Sequence, residues 1–156
     1  MKNYKIWENG IYIKDKTKVY WGGTPVEGVD VETFEELGEE NLAKDKNHVY
    51  SGDSVLEKLD PALLKYIGGP YYLYKNNILY LGSASLLGKK RKLETDIDGK
   101  NYVYMGDELI KDKKHVYYAG QRLKEVKPEE LNTADDARKL KKKIIDGLLG
   151  IQKQRK

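Results

Sequence analysis

The chain has 156 residues, no cysteine and a formal net charge of +4, and 35% of its residues are charged. This length fits one domain or one short repeat array. The lack of cysteine excludes disulfides, thiolate metal sites and cysteine nucleophiles. The sequence has no N-terminal apolar signal segment and no apolar stretch that could span a membrane, so we expect a soluble, cytoplasmic protein.

Charge is unevenly distributed along the chain. Residues 27–60 are rich in carboxylates, whereas residues 138–156 contain eight basic residues and one acid. A uniformly basic surface would have indicated nucleic-acid binding directly, but this chain has an acidic-leaning body and a basic end. Attraction to nucleic acid is therefore expected only for the C-terminal segment.

A short motif recurs along the chain. The segment Lys14–Tyr20 returns 30 residues later as Lys44–Tyr50, and it returns again as Lys111–Tyr117. A degenerate copy lies at Tyr74–Tyr80, and a partial copy lies at Lys100–Tyr104. Recurrence at a fixed period is typical of repeat architectures, in which stacked units bury a shared core.

Each copy predicts a β-hairpin, and the first two hairpins are each followed by a predicted short helix. Two β-prone runs flank a polar turn, where an aspartate accepts hydrogen bonds from the amides that come after it. The predicted turns lie at 15–18, 45–48, 75–78 and 112–115. Asp30 and Asp60 are predicted to cap the short helices, which should end at Gly38 and Gly68.

The C-terminal segment predicts an amphipathic helix. Thr133 can cap its N-terminus, and Asp135 and Asp136 suit its first turn. Apolar residues follow at helical spacing, namely Ala137, Leu140, Ile144, Leu148 and Ile151. We interpret this helix as a cap on the repeats, and the alternative is a basic helix that contacts phosphate or an acidic partner.

These patterns predict a mainly β (α+β) fold, built from tandem units of a β-hairpin and a short helix. The repeat domain covers residues 1–131, and the basic C-terminal helix covers residues 132–156 and caps the same domain. The predicted hairpin units lie near residues 11–22, 42–52, 72–82 and 101–120.

The motif resembles the DKNYY family, a bacterial family named for its recurrent Asp-Lys-Asn-Tyr-Tyr-type sequence. The residues that carry the resemblance are Asp15–Tyr20, Asp45–Tyr50 and Asp112–Tyr118. The similarity covers roughly residues 11–131 and implies a repeat architecture. It assigns no catalytic residue to this chain.

No pattern in the sequence predicts a catalytic, cofactor or metal site. His48 and His115 occupy one motif position, but lysine and isoleucine fill that position in other copies, which speaks against metal binding or proton transfer. Asp15, Asp45 and Asp112 also share a position, and turn chemistry accounts for them. We therefore expect a non-enzymatic protein without a cofactor.

Two sets of residues are candidates for contact with a partner. Acidic residues around the first predicted helix would attract a basic protein, and nearby tyrosines would supply anchor contacts, unless they form the buried centre of the array. The predicted protein-binding residues are Glu35, Glu36, Glu39, Glu40, Tyr66, Tyr71, Tyr72 and Tyr74. The residues considered for nucleic-acid contact are Lys89, Lys90, Arg91, Lys92, Lys141, Lys142 and Lys143.

The function that these features favour is binding of another protein. An inhibitor or immunity-type protein that neutralises a toxin or an effector nuclease would fit, because the acidic stretch could oppose the basic cleft of a nuclease. The alternatives are a nucleic-acid-associated protein that acts through its C-terminal helix, and a purely structural repeat protein. No membrane partner is expected.

Overall fold

A computed structural model describes residues 12–38, 42–82 and 94–147, together with the backbone of Lys5–Ile6. Within these residues the chain forms sixteen short strands in four antiparallel sheets, followed by one α-helix. The mainly β class and the C-terminal helix are therefore confirmed. No helix in this part of the chain is long and apolar enough to cross a membrane.

Each sheet is a four-stranded meander in which consecutive strands are neighbours. The first sheet contains β1 (Lys5–Ile6), β2 (Tyr12–Lys14), β3 (Val19–Trp21) and β4 (Thr24–Pro25). The second contains β5 (Glu35–Leu37), β6 (Leu42–Lys44), β7 (Val49–Ser51) and β8 (Ser54–Val55). The third contains β9 (Leu64–Gly68), β10 (Tyr71–Tyr74), β11 (Asn77–Tyr80) and β12 (Glu94–Asp98). The fourth contains β13 (Val103–Gly106), β14 (Leu109–Lys111), β15 (Val116–Tyr118) and β16 (Gln121–Leu123).

The motif forms the two central strands of a sheet and the turn between them. Four-residue turns at 15–18, 45–48 and 112–115 are closed by the pairs Lys14–Val19, Lys44–Val49 and Lys111–Val116. The third sheet differs, because Tyr74 pairs with Asn77 and leaves a two-residue turn at 75–76. Lys75 stands there in place of the turn aspartate and adopts a left-handed φ of 58°.

A second reversal comes after the central hairpin in three sheets and was not predicted. Two-residue turns at 22–23, 52–53 and 119–120 lead into the short strands β4, β8 and β16. Gly22 and Gly23 both have positive φ, as do Ala119 and Gly120. Such two-residue turns twist in the same sense as the antiparallel strands that they connect. The Gly22-Gly23 dipeptide is the sequence signal from which the first of these turns could have been predicted.

The predicted short helices are wrong. Residues 31–33 form a turn, and residues 35–37 form the edge strand β5. Pro61–Leu63 form a single 3-10 turn, after which the chain continues directly as β9. Asp30 and Asp60 do cap these turns, since they accept hydrogen bonds from the amides of Thr33 (3.0 Å) and Ala62 (2.9 Å).

Pairing with a neighbouring strand explains why the helices stop so early. Glu35, Glu36 and Leu37 pair with Lys44, Ala43 and Leu42 of β6, which buries Leu37 and leaves Glu35 exposed. Tertiary pairing of this kind routinely overrides the weak local preference for helix.

The chain divides into two compact units, Met1–Tyr66 and Ile67–Lys156, and the border falls inside β9. In the first unit, one cluster of buried residues contains Tyr12, Val19, Val26, Phe34, Ala43 and Tyr50. In the second unit, the adjacent β14 residues Leu109 and Ile110 belong to different clusters. The fourth sheet is therefore covered on both faces.

The C-terminal helix α1 (Ala134–Ile145) covers one face of the fourth sheet. Thr133 caps it as expected, in a reciprocal arrangement in which Thr133 and Asp136 each bind the other's backbone amide. Ala137 and Ile144 are buried against the sheet, and Leu140 is partly buried. The predicted apolar positions Leu148 and Ile151 lie outside the described residues.

Candidate functional site

The aspartate of the second motif copy is a buried hydrogen-bond acceptor. Asp45 is only 3% exposed, and its Oδ1 accepts the amides of Asn47 (2.7 Å) and His48 (2.8 Å). Its Oδ2 accepts the Tyr50 hydroxyl (2.7 Å) and the amide of Asp30 (2.8 Å), which lies fifteen residues earlier. The carboxylate thus orders its own turn and also holds the segment that precedes the sheet.

Asp112 repeats this arrangement in the fourth sheet. Its Oδ1 accepts the amides of Lys114 and His115, both at 2.8 Å. Its Oδ2 lies 3.2 Å from the Asp98 amide and 3.4 Å from the Tyr117 hydroxyl. Burial acts to raise the pKa of Asp112, but these hydrogen bonds outweigh burial and hold the pKa below its ordinary value.

The lysine that precedes this aspartate ties the motif to a later segment of the chain. In three copies its Nζ donates to a backbone carbonyl seventeen residues further along the chain. The pairs are Lys14 with Val31 (2.9 Å), Lys44 with Pro61 (3.3 Å) and Lys111 with Pro128 (3.1 Å). Lys111 also donates to the carbonyl of Leu131, so it holds the approach to α1.

In the second and fourth sheets, the Lys-Asp pair of the motif joins a sheet to the segments on both sides of it. These bonds leave its charged groups engaged within the fold. The histidines beside it, His48 and His115, lie with Nδ1 3.3 Å and 3.5 Å from the hydroxyls of Tyr50 and Tyr117. No group of three or more histidines or carboxylates among the described residues could hold a metal ion.

The predicted acidic surface is only partly accessible. Glu35 is exposed and lies 3.5 Å from Lys44 Nζ. Glu36 is half-buried, and its Oε1 is buried without a hydrogen-bond partner among the described residues. Burial therefore raises the pKa of Glu36 above its ordinary value. Glu39 and Glu40 lie outside the described residues.

The predicted aromatic contact surface does not include its two central tyrosines. Tyr71 and Tyr72 lie on β10, inside the third sheet, and are fully buried. The Tyr71 hydroxyl donates to the carbonyl of Glu108 (2.8 Å) and accepts the amide of Gly120 (3.0 Å), so both its apolar ring and its polar end are satisfied internally. Tyr74 is half-buried and Tyr66 is 37% exposed.

The basic residues predicted to contact nucleic acid differ in their exposure. Lys142 and Lys143 are exposed on α1, whereas Lys141 is partly buried and lies 3.4 Å from Asp107. Lys89, Lys90, Arg91 and Lys92 lie outside the described residues.

A groove on the fourth sheet was not predicted from the sequence. It has a volume of about 470 Å³ and is lined by Asn101–Val103, Lys111–Lys113 and Pro128–Glu129. Val103 forms part of its wall and is 52% exposed, which is unusual for a valine in a strand. The signal that could have located the groove is the substitution of valine where the second sheet has Glu35, since Val103 pairs with Lys111 as Glu35 pairs with Lys44.

Comparison with known proteins places the chain in a family. Neither the curated proteins nor the solved structures contain a match to it. The model of the DKNYY family matches residues 12–145, which include the three Lys-Asp pairs, strands β2 to β16 and α1. This chain belongs to the DKNYY family.

Proposed function

We propose that the protein is a non-enzymatic binding module, in which tandem sheet units present a surface to another protein. The observation that carries this proposal is the engagement of the motif's polar groups within the fold. The side chains of Asp45, Asp112, Lys44 and Lys111 all bind backbone groups of neighbouring segments. Binding is then left to exposed residues outside the motif, as in other repeat proteins.

An inhibitor or immunity-type role is the specific form of this proposal. In the first unit, Glu27, Glu32 and Glu35 are exposed, and their charge would attract a basic protein such as a nuclease. Charge of this kind acts mainly on the rate of association, so it can be tested separately from the fold.

Isolation of the complex tests the proposal. Tagged protein should recover a stoichiometric protein partner from the native host, the complex should survive nuclease treatment, and it should reform from purified components. Replacing Glu27 and Glu32 with lysine should slow association at low salt without changing the melting temperature. A complex that dissociates on nuclease treatment would contradict the protein-binding function.

Nucleic-acid binding through α1 is a second candidate, because Lys142 and Lys143 are exposed on the same helix. If it holds, a labelled DNA duplex should bind with an affinity that falls steeply with salt. Changing both lysines to glutamate should then abolish this binding, while the same change at the exposed Lys16 and Lys58 should have less effect. If the two variants lost DNA affinity equally, the binding would reflect only non-specific attraction between DNA and the charged protein surface, which would contradict a site on α1.

A further inference from the structure

We propose that Tyr50 and Asp45 fix the tautomer of His48, so that its neutral imidazole carries the hydrogen on Nδ1 and presents a bare Nε2 outside the fold. The second sheet then displays a hydrogen-bond acceptor at the last residue of its motif turn. A group that binds this nitrogen of the neutral ring must be a donor, such as an ammonium or a guanidinium. This inference goes beyond the proposed function, because it depends on the geometry of the turn and not on a partner.

The hydrogen of the Tyr50 hydroxyl is donated to Asp45. The Tyr50 oxygen lies 2.7 Å from Asp45 Oδ2, a length typical of a bond from a hydroxyl to a carboxylate. Burial acts to raise the pKa of Asp45, but its hydrogen bonds outweigh burial and lower the pKa, so the carboxylate is ionised at neutral pH. An ionised carboxylate can only accept, and the hydroxyl hydrogen must therefore point to Asp45.

The contact between Tyr50 and His48 then has only one direction. His48 Nδ1 lies 3.3 Å from the Tyr50 oxygen, whose single hydrogen is already donated to Asp45. The oxygen can only accept from His48, so Nδ1 must carry a hydrogen. Donation to the carboxylate also strengthens the hydroxyl as an acceptor, because consecutive hydrogen bonds polarise one another. The bond made by one ring nitrogen sets the state of the other, which leaves Nε2 bare.

The turn holds the His48 ring in place and leaves Nε2 available. The amide of His48 donates to Asp45 Oδ1 at 2.8 Å, which fixes the backbone beside the ring. The ring meets that of Tyr50 edge-on, with the two centroids 5.9 Å apart. His48 is exposed, and no hydrogen bond from the described residues reaches its Nε2. The acceptor is therefore open to groups outside the chain.

The fourth sheet provides an internal comparison, because His115 has the same neighbours at longer distances. The Tyr117 oxygen lies 3.4 Å from Asp112 Oδ2, 3.3 Å from the carbonyl oxygen of Asp96 and 3.5 Å from His115 Nδ1. No acceptor takes the hydroxyl hydrogen at short range there. The tautomer of His115 should consequently be less strongly fixed than that of His48.

Long-range ¹H–¹⁵N correlation spectra of the imidazole rings test the proposal directly. At pH 9, where imidazole side chains are neutral, a bare ring nitrogen resonates well downfield of one that carries hydrogen. Nε2 correlates with both carbon-bound ring hydrogens and Nδ1 strongly with only one, so the two nitrogens can be distinguished. The chain has two histidines, and the spectrum of His48→Asn assigns their signals.

We expect the Nδ1–H form to predominate at His48 and to be a smaller fraction at His115. Predominance of the Nε2–H form at His48 would overturn the proposal. An Nδ1–H fraction at His115 that equals or exceeds the fraction at His48 would also overturn it, because the short bond from Tyr50 to Asp45 would then not be the cause.

Removal of the hydroxyl provides the second arm. Tyr50→Phe keeps the buried ring and should lower the ratio of the Nδ1–H form to the Nε2–H form of His48 about fivefold, as expected for one lost hydrogen bond. Tyr20→Phe makes the same change at the same motif position of the first sheet, where Lys18 stands in place of histidine, and should leave the ratio unchanged. A folded Tyr50→Phe variant with an unchanged ratio would overturn the proposal. The spectrum of the original protein decides the tautomer even if this variant does not fold.

This inference and the proposed function fail in different ways. An Nε2–H tautomer at His48 would overturn the inference and leave the protein-binding function standing. The absence of any protein partner would overturn that function, and the ring spectra would still decide which nitrogen of His48 is bare.

Discussion

At the scale of single residues, the motif aspartates have a structural role that depends on both carboxylate oxygens. One oxygen of Asp45 organises the turn, and the other accepts Tyr50 and the distant Asp30 amide. Burial acts to raise the pKa of Asp45, but the four hydrogen bonds prevail and lower it. The group therefore stabilises the folded state above its unfolded-state pKa of about 3.8, and this contribution is lost as the pH falls through the lower folded-state value.

Asp45→Asn should destabilise the protein by about 2–4 kcal/mol, because an amide nitrogen would face a donor where the carboxylate oxygen accepted one. Urea unfolding at pH 7 measures this loss, and the difference from the original protein should shrink as the pH falls below 4. Asp53→Asn makes the same charge change at an exposed position in the same unit and should cost less than about 0.5 kcal/mol. Equal costs for the two variants would contradict the role given to Asp45.

Glu36 should show the opposite dependence on pH. Its raised pKa means that the folded state holds the proton more tightly than the unfolded state does. Its contribution is therefore complete below the unfolded-state pKa of about 4.5 and declines as the pH rises through the folded-state value. Glu36→Gln should raise the melting temperature at pH 7 and have no such effect at pH 3.5. A lower melting temperature at pH 7, with Glu35→Gln as the exposed control, would show that the carboxylate has a partner.

At the scale of secondary-structure elements, short strands acquire stability from packing on both faces rather than from length. The fourth sheet has the third sheet's cluster around Tyr71 and Ile78 on one side and α1 on the other. The helix contributes Ala137 and Ile144 to this core, whereas the next residue, Ile145, is 68% exposed. Ile144 and Ile145 are therefore a matched pair, one buried and one exposed, for testing what α1 contributes to the core.

Ile144→Ala should cost about 2–4 kcal/mol, because it removes buried methyl groups and leaves a cavity between α1 and the sheet. Ile145→Ala removes the same atoms from an exposed site and should change stability by less than about 0.5 kcal/mol. Thermal unfolding followed by circular dichroism distinguishes the two variants. If Ile145→Ala proved the more damaging, the face of α1 that packs on the sheet would have been misidentified.

Local signals were sufficient to predict some elements and not others. Thr133 and the Asp-Lys turns could be recognised because capping and turn residues act on amides two or three positions away. The helices predicted after Asp30 and Asp60 do not form, because a capping residue specifies only the first turn. The residues that follow pair with β6 or β10 and form a strand instead. Tyr71 and Tyr72 resembled a contact surface because a buried cluster of tyrosines and an exposed one have the same composition.

At the scale of the whole molecule, the same tie recurs in both compact units. Lys14 and Lys44 lie in the first unit and Lys111 in the second, and each donates to a carbonyl seventeen residues ahead. Sequence alone could not show these ties, because a lysine at the end of a strand is usually solvated and its partner is a backbone group far along the chain. The groove was equally hidden, because its wall includes Val103, which stands opposite Lys111 where the second sheet has Glu35 opposite Lys44.

The central claim is that the recurring Lys-Asp pairs hold the fold together and leave binding to other residues. The most direct measurement is the free energy of unfolding of a triple variant, Lys14→Met, Lys44→Met and Lys111→Met, which keeps the aliphatic stems and removes the donors. A matched triple variant changes the exposed Lys16, Lys58 and Lys113 to methionine, with the same change in net charge. We expect the first variant to lose about 1–3 kcal/mol for each tie and the second to remain within about 0.5 kcal/mol for each substitution. Equal stability of the two variants would contradict the claim.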